Sequence, residues 1–258
     1  MATHLGALER RRAILELLER ESAVRVDQLA QAFGVSCVTA RADLDALAHD
    51  GKLRRTHGGA ASLSRRLTVS VQDRRVNVNA KAKQVIAACA ARLVEDGDTL
   101  LVDSGTTALE LVRALSLCEG LTVVTADLTI AEHIDRAMPS CDVVVLGGML
   151  RKAHRYTTGP LAMAALAELH ADKVFVCPGS FVPRRGLMTD YQAMAELKHA
   201  MLAAADRRYC LMDASKVGAS GLIRFAGLAD FDAVVMDADP NSAVARAAVD
   251  AGSNLMVA

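Results

Sequence analysis

The hydrophobic residues of the first sixty positions recur at helical spacing and predict three short helices followed by a hairpin. Helix one spans about residues 8–20, and helix two follows the extended piece AVRV. Helix three begins after a tight turn at Gly34, with Ser36 as its N-cap. The residues expected to face inward are Ile14, Leu17 and Leu18, then Leu29, Ala30 and Phe33, and finally Ala40, Leu44 and Leu47. Two helices joined by a short turn that contains glycine form a helix-turn-helix unit.

A basic hairpin is predicted directly after helix three. Gly51 can end the helix, and KLRRT at 52–56 alternates like a strand before a glycine-containing turn at 57–59. A basic strand beside a helix-turn-helix is typical of a wing that lies along phosphates. These elements define a first domain at residues 7–62, and the polar, aperiodic stretch 63–80 is interpreted as a linker.

From residue 81 the pattern changes to short apolar runs that alternate with helical segments. Strands are predicted at 99–103, 121–126, 141–148, 173–179, 208–214 and 232–238, with a short last one at 254–258. Helices are predicted near 83–95, 106–117, 128–137, 161–169, 191–205 and 241–251. Such alternation predicts a mainly parallel sheet covered by helices on both faces. The fold class is therefore α/β, with a small N-terminal winged helix-turn-helix domain followed by a mainly parallel α/β domain at 81–258.

Composition and charge narrow the classes of function. The chain is 52% hydrophobic and 23% charged, which is typical of a globular protein. No apolar run approaches the roughly 20 residues that cross a bilayer, so a cytoplasmic protein with no membrane partner is expected. Residues 1–66 carry 11 Lys or Arg against 8 Asp or Glu, while the rest carry 19 against 22, which favours a polyanion partner for the N-terminal part. The six cysteines form no CxxC pair, so neither disulfides, nor a metal site, nor a cofactor is expected.

The beginning of helix three carries the side chains expected to meet DNA. Residues at this end of a recognition helix read bases, and basic strand residues neutralise phosphates. Arg41 could pair with a guanine or a phosphate, and Thr39 with a phosphate or a thymine methyl group. The expected DNA-binding residues are Ser36, Cys37, Thr39, Arg41, Arg54, Arg55 and His57. The alternative is that the three helices dock a protein rather than DNA.

The stretch LLVDSGTTALEL at 100–111 places a small, hydroxyl-bearing loop between a buried strand and a helix. Free backbone N–H groups and the helix dipole make such a position a cradle for an anion such as phosphate. An ordinary strand-to-helix turn with Thr106 as N-cap explains the same residues, and the sequence leaves both interpretations open. The residues concerned are Asp103, which ends the strand, and Ser104, Gly105, Thr106 and Thr107.

Polar groups follow other predicted strands as well. Gly147 and Gly148 end one strand and precede Arg151 and Lys152, while MDASKVG at 212–218 carries Asp213 and Lys216. Ligands of open α/β sheets bind beyond the carboxyl ends of the strands. Several polar strand ends together therefore predict a ligand pocket.

Together these motifs resemble the DeoR family of bacterial transcriptional regulators. The resemblance runs from VRVDQLAQAFGVSCVTARADLDALAHDGKLRRTHGGA through DGDTLLVDSGTT, LGGMLR and GLMTD to LMDASKVG, and it covers nearly the whole chain. It implies a DNA-binding segment at about 24–43 and a sugar-phosphate-sensing domain similar in fold to ribose-phosphate isomerase and glucosamine-phosphate deaminase. The effector residues that it implies, together with the strand-end glycines, are Lys83, Asp103, Ser104, Gly105, Thr106, Thr107, Gly147, Gly148, Asp213 and Lys216.

The function expected from this resemblance is repression of a sugar or polyol catabolic operon. The partners would be double-stranded operator DNA and a phosphorylated sugar whose binding releases the DNA. Two helix-turn-helix units are needed to span two half-sites, which predicts a homodimer or homotetramer.

The chain departs from the family pattern in helix three and after one strand. Two adjacent arginines are usual where this chain has Arg41 and Ala42, whereas Asp43 fits the pattern and is expected to orient a neighbouring arginine. The usual Asn-Ser pair is replaced by Ala126 and Asp127, which is expected to alter the effector pocket.

A third departure bears on catalysis. Met194 stands where a glutamate is usual, although Lys198 remains. Isomerases and deaminases of this fold need a carboxylate base beside the sugar carbons, and a thioether cannot accept the proton. A sugar-phosphate isomerase or deaminase-like enzyme is therefore the alternative that Met194 disfavours, with Asp103 and Asp213 as the remaining carboxylates.

Overall fold

The computed structural model describes residues 6–21, 23–56, 58–62 and 77–258. The chain divides into two compact units between residues 69 and 70, and each unit has a hydrophobic core of its own. No helix in the described ranges is long and apolar enough to cross a membrane. Most of the predicted linker, residues 63–76, lies outside these ranges.

Three helices and a three-stranded antiparallel sheet form the described part of the N-terminal unit. The strand order is β1–β3–β2, so the predicted hairpin is joined by the short strand that precedes the second helix. The elements are α1 (Ala7–Glu21), β1 (Ala23–Arg25), α2 (Val26–Phe33), α3 (Cys37–His49), β2 (Leu53–Thr56) and β3 (Gly59–Ser62). This arrangement confirms the predicted winged helix-turn-helix.

The turn between α2 and α3 follows from two residues. Gly34 has φ of 62°, a left-handed conformation that glycine adopts without steric cost. Ser36 then caps α3, because its Oγ accepts a hydrogen bond from the Thr39 N–H at 3.1 Å. The predicted stripe of α3 is buried in the core of this unit, with Ala40, Leu44 and Leu47 all at most 3% exposed.

The C-terminal unit is built on a seven-stranded sheet in which every described pairing is parallel. The strand order is β15–β14–β12–β9–β4–β5–β6. These strands are β4 (Thr99–Val102), β5 (Thr122–Thr125), β6 (Asp142–Val145), β9 (Ala171–Val176), β12 (Ala205–Leu211), β14 (Ala233–Met236) and β15 (Asn254–Val257). The predicted strands are confirmed, and their carboxyl ends meet at one edge of the sheet.

Helices cover both faces of this sheet, as predicted. The first three pack on one face around Phe175, and the last three pack on the other face around Phe181. The helices are α4 (Ala80–Ala91), α5 (Thr106–Ala114), α6 (Leu128–Ala137), α7 (Pro160–Ala167), α8 (Gln192–Ala203) and α9 (Ala243–Ala251). Helix α4 begins three residues earlier than predicted, at the last position of the predicted linker.

Two small antiparallel sheets were not predicted. A hairpin follows β6 and consists of β7 (Met149–Arg151) and β8 (Tyr156–Thr158). A second small sheet contains β10 (Ser180–Val182), β11 (Gly186–Thr189) and β13 (Ile223–Ala226). Both lie in stretches interpreted as strand ends or loops, because strands of three or four residues carry too few positions to show a period.

Candidate functional site

A cavity of about 220 Å³ opens beyond the carboxyl ends of the central strands. Its walls come from the loops after β4, β9 and β12, from the beginnings of α4 and α8, and from the β7–β8 hairpin. Seven of the ten predicted effector residues line it: Lys83, Ser104, Gly105, Thr106, Thr107, Asp213 and Lys216. The structure therefore brings together residues that are up to 133 positions apart in the sequence.

The other three predicted residues do not line the cavity. Asp103 is 1% exposed and lies behind the wall, where its Oδ2 accepts from Lys198 Nζ and from the Cys177 N–H, the latter at 2.8 Å. Gly147 and Gly148 lead into the β7–β8 hairpin. Gly148 packs so closely on the backbone of Thr158 that its part is to position the hairpin.

The loop after β4 delivers the beginning of α5 to the cavity. The N-cap is Gly105, with φ of 142°, and Thr106 is the first helical residue rather than the N-cap considered from sequence. The first N–H groups of a helix have no partner within the helix and carry partial positive charge. This geometry suits an oxyanion.

Asp127 holds this loop from behind. Its carboxylate is fully buried, caps α6 through the N–H groups of Thr129 at 2.7 Å and Ile130 at 3.2 Å, and accepts from the Gly105 N–H at 3.2 Å. The departure from the family pattern at this position therefore acts on the loop itself. A carboxylate that takes one loop N–H fixes the orientation of the loop and leaves one fewer donor for a ligand.

A second network joins α4 to the end of β12. Asn79 Nδ2 donates to Asp213 Oδ1 at 3.0 Å and to Ser215 Oγ at 3.1 Å, which ties the start of α4 to the loop that carries Lys216. Lys83 Nζ donates to the Val78 carbonyl. Thus Asp213 lines the cavity as predicted, but its Oδ1 already accepts a hydrogen bond from Asn79.

The β7–β8 hairpin brings Arg151, which the sequence analysis names among the polar groups that follow strands, together with two tyrosines that it does not assign to the pocket. The Arg151 guanidinium lies 4.2 Å from the ring centroid of Tyr191 and 5.7 Å from that of Tyr156, and its Nη1 donates to the Tyr156 hydroxyl. Burial raises the pKa of Tyr156, which keeps the phenol neutral. The sequence contains one signal for this cluster, the scarcity of tyrosine. The chain has only three tyrosines, and two of them line this cavity.

Three further wall residues, Met194, Lys198 and Cys177, are buried or already bonded within the protein. Met194 is 4% exposed, and its sulfur lies 4.0 Å from Ser104 Oγ. Lys198 is held by Asp103 and by the Cys177 carbonyl at 2.9 Å. Burial raises the pKa of the Cys177 thiol to about 12, so this sulfur stays protonated and unreactive near neutral pH.

In the N-terminal unit, α3 presents an exposed face at its beginning. Cys37 and Arg41 are exposed there, as is Arg54 on the wing, and neither arginine has a partner among the described residues. Ser36 and Thr39 also lie on this side, and their hydroxyls are 2.9 Å apart. His57 lies outside the described residues.

Two residues of α3 and the wing have partners within the protein. Arg55 bonds Asp45 at 2.7 Å through Nε and the Gly59 carbonyl at 2.6 Å through Nη1, which braces the wing against α3, and its contact with DNA stays a prediction. Asp43, expected to orient a neighbouring arginine, pairs with Arg10 and Arg11 of α1. It is 2% exposed, because it lies on the buried stripe of α3.

Two family models match the chain. The DeoR-like helix-turn-helix domain matches residues 10–66, and the DeoR C terminal sensor domain matches residues 78–238. The chain belongs to the DeoR family. It is therefore a DNA-binding transcriptional regulator with a sensor domain that contains the cavity.

Individual relatives of this DeoR-family chain are similar over almost their whole length. The chain is 33% identical over 230 residues to the transcriptional repressor AccR of Agrobacterium fabrum, with 89% of each chain covered. It is 28% identical over 235 residues to the HTH-type transcriptional repressor GlcR of Bacillus subtilis, with 91% of this chain and 90% of GlcR covered. Among solved structures, ribose 5-phosphate isomerase A from Methanocaldococcus jannaschii is similar with a TM-score of 0.40 and 17% identity, over 54% of this chain and 55% of the isomerase.

Proposed function

We propose that this DeoR-family protein represses a sugar or polyol catabolic operon and that a phosphorylated sugar bound in the cavity releases it from DNA. The observation that carries the proposal is the cavity itself, in which the N-terminus of α5 and Lys216 face a common space. Because a repressor acts on chromosomal DNA, the protein would work in the cytoplasm. The relatives named as repressors support the direction of regulation.

The charge balance of the cavity supports an anionic ligand. Asp103 is neutralised by Lys198, and Asp213 accepts from Asn79 and Ser215. Neither Lys216 nor Arg151, in contrast, is paired with a carboxylate within the described part of the chain. A phosphate at the α5 N-terminus would be bound by backbone N–H groups, by the threonine hydroxyls and by Lys216.

The same cavity argues against catalysis. The glutamate position is occupied by Met194, which cannot accept a proton, and the Asp103 carboxylate is buried behind the wall in an ion pair. Asp213, the other carboxylate named from the sequence, already accepts from Asn79 and Ser215. We therefore propose that the chain binds a sugar phosphate without converting it. Incubation with ribose 5-phosphate or glucosamine 6-phosphate is expected to give no turnover, and turnover at an enzyme-like rate would overturn this point.

A second copy of the chain is needed for the proposed repression, since two recognition helices must reach two half-sites. The edge strand β6 offers a surface for this pairing, because Val144 and Val145 are 41% and 42% exposed there. Met149 and Leu150 of the adjoining hairpin extend the apolar patch. Exposed apolar edge strands are typical of interfaces, so we infer a homodimer or a homotetramer that uses the β6 edge.

Release follows if the effector binds one arrangement of the paired copies better than the other. Only this difference in affinity can shift the equilibrium. A coupling free energy of about 1–3 kcal/mol corresponds to roughly 5- to 150-fold weaker operator binding.

The proposed function can be tested by a gel shift with the DNA upstream of its own gene and a panel of sugar phosphates. We expect retarded DNA that at least one phosphorylated sugar releases, while the unphosphorylated sugar does not. The double variant Thr106→Ala and Lys216→Ala is expected to lose release, since it removes a loop hydroxyl and the nearby ammonium. Retained release by this double variant would place the effector elsewhere. The control is the pair Thr122→Ala and Lys152→Ala, of which Thr122 is half-buried and Lys152 exposed, and neither lines the cavity.

A further inference from the structure

The cavity has two cationic ends on opposite sides of the loop at Ser104–Thr107. In the sheet order, β12 and β6 lie on opposite sides of β4, which carries the loop. Lys216 follows β12, and Arg151 follows β6. Neighbouring strands are about 4.8 Å apart, so these two strand ends are separated by about 19 Å, and both side chains reach inward to line one cavity.

Arg151 is held in place at its end of the cavity. Its guanidinium stacks 4.2 Å from the centroid of Tyr191 and bonds the hydroxyl of Tyr156. These contacts restrict the rotamers of a long side chain and leave further N–H groups of its planar fork available.

Within the described residues, no carboxylate pairs with the Arg151 guanidinium. Asp190 also lines the cavity but is exposed, and its Oδ1 accepts from the Leu222 N–H at 3.3 Å. Arg155, four residues beyond Arg151, does find a carboxylate in Glu132 at 2.9 Å. A fixed arginine that lines a cavity and has no carboxylate partner among the described residues can form strong, charge-assisted bidentate bonds with a ligand anion.

Building on the proposed function, we infer that the effector carries a second anionic group, and that it is a phosphorylated sugar acid. Its phosphate lies at the Ser104–Thr107 loop beside Lys216, and its carboxylate pairs with Arg151. The cavity volume of about 220 Å³ favours a carboxylate over a second phosphate, because it is below the range of about 300–1,000 Å³ that is usual for ligand pockets. The planar fork of arginine also matches the planar carboxylate.

Matched pairs of ligands test this inference on the full chain by calorimetric titration. Each pair has a phosphorylated sugar and the acid of the same length: glyceraldehyde 3-phosphate with 3-phosphoglycerate, erythrose 4-phosphate with 4-phosphoerythronate, ribose 5-phosphate with 5-phosphoribonate, and glucose 6-phosphate with 6-phosphogluconate. For the length that fits, the acid is expected to bind about 10- to 100-fold more tightly than the neutral sugar phosphate. Equal affinity within every pair would overturn the inference but leave the proposed function standing.

Variants of Arg151 locate the effect. Arg151→Met keeps the bulk of the side chain. It is expected to reduce the ratio of the affinity for the acid to that for the neutral sugar phosphate to about one, whereas Arg151→Lys retains part of the preference. Lys152→Met, an exposed neighbour outside the cavity wall, is the control and should keep the full preference. Equal loss of affinity for acid and neutral ligands in Arg151→Met would mean that Arg151 has only a packing role, which would overturn the inference.

Two further outcomes separate this inference from the proposed function. Tighter binding of fructose 1,6-bisphosphate than of every acid would assign the Arg151 end to a second phosphate and overturn the carboxylate assignment. Binding of no phosphorylated compound at all would overturn the proposed function and this inference with it. The comparison of acid and neutral ligands in the unmodified protein does not depend on any variant that fails to fold.

Discussion

Asp43 lies on the opposite side of α3 from Arg41, although only two positions separate them. It follows Ala40 by three positions and precedes Leu47 by four, so it belongs to the buried stripe and not to the DNA face. A buried carboxylate needs partners, and Arg10 and Arg11 supply them at 2.6 Å and 3.0 Å. The acidic residue therefore fastens α3 to α1.

Substitution of Asp43 is expected to destabilise the N-terminal unit. Asp43→Asn removes the buried carboxylate that pairs with Arg10, a residue only 8% exposed, so the free energy of unfolding should fall by about 3 kcal/mol. Denaturant unfolding of the full chain measures the loss. Asp45→Asn, which breaks the more exposed pair with Arg55, should cost less than about 1 kcal/mol, and equal losses for the two variants would contradict this prediction.

Arg41 is the residue of α3 on which DNA binding is expected to depend most. Because Ala42 contributes no charge, Arg41 is the one arginine or lysine in α3. Arg41→Ala should weaken operator binding by about 1–3 kcal/mol if the side chain pairs with a base edge. Fluorescence anisotropy against salt concentration measures it, with Arg113→Ala on α5 as the control, and unchanged operator affinity would remove Arg41 from the interface.

At the scale of elements, the sequence predicts the helices and strands whose hydrophobic pattern extends over many residues, and it does not predict the strands of the two small antiparallel sheets. The parallel strands and their helices were predictable because buried apolar runs and helical stripes recur over many residues. The loop at Ser104–Thr107 and Lys216 were found for the same reason, since ligands bind where such strands end. The β7–β8 hairpin was not, because its turn uses Ala153 and Arg155 at positive φ, where no glycine marks it.

The local hydrophobic pattern of the sequence does not predict the ion pair behind the cavity either. Asp103 and Lys198 are 95 positions apart, and only the packing of α8 against the sheet brings them together. From the sequence, Asp103 is expected to contact the ligand. Its buried position shows that it orders the wall instead, by binding Lys198 and the backbone of Cys177.

Two adjacent glycines test the part played by the hairpin. Gly148 has φ of 129°, and a Cβ there would lie 2.5 Å from the Thr158 carbonyl oxygen, whereas a Cβ on Gly147 would meet nothing within 4 Å. Gly148→Ala should therefore shift the hairpin that carries Arg151, lower the stability by about 1–3 kcal/mol and weaken effector binding. Thermal unfolding and calorimetric titration measure both effects.

Gly147→Ala is the matched variant for this experiment. It should leave stability and effector affinity close to those of the unmodified chain. A selective loss of effector affinity in Gly147→Ala would instead mean that the ligand approaches this backbone closely, which is what the sequence predicts for Gly147.

At the scale of the whole molecule, a ligand bound in the C-terminal unit has to change how the N-terminal unit binds DNA. The proposed mechanism requires a second copy, because effector binding can alter the spacing of two recognition helices only where two are joined. The edge strand β6 lies next to both the proposed interface and the effector cavity. It carries the exposed valines, and the hairpin that follows it carries Arg151 into the cavity. An effector that draws on Arg151 would therefore act directly beside the proposed interface.

A charge on this edge should separate assembly from effector binding. Val145→Lys places an ammonium on the exposed edge strand, so we expect a smaller species in light scattering after size-exclusion chromatography and weaker binding to an operator with two half-sites. Affinity for a single half-site should change little, because each recognition helix remains intact. Val249→Lys on α9, where the valine is 79% exposed, introduces the same charge away from this edge and should leave the assembly unchanged. An unaltered assembly in Val145→Lys would move the interface elsewhere, and regulation would then have to reach the DNA by a route that does not pass through the β6 edge.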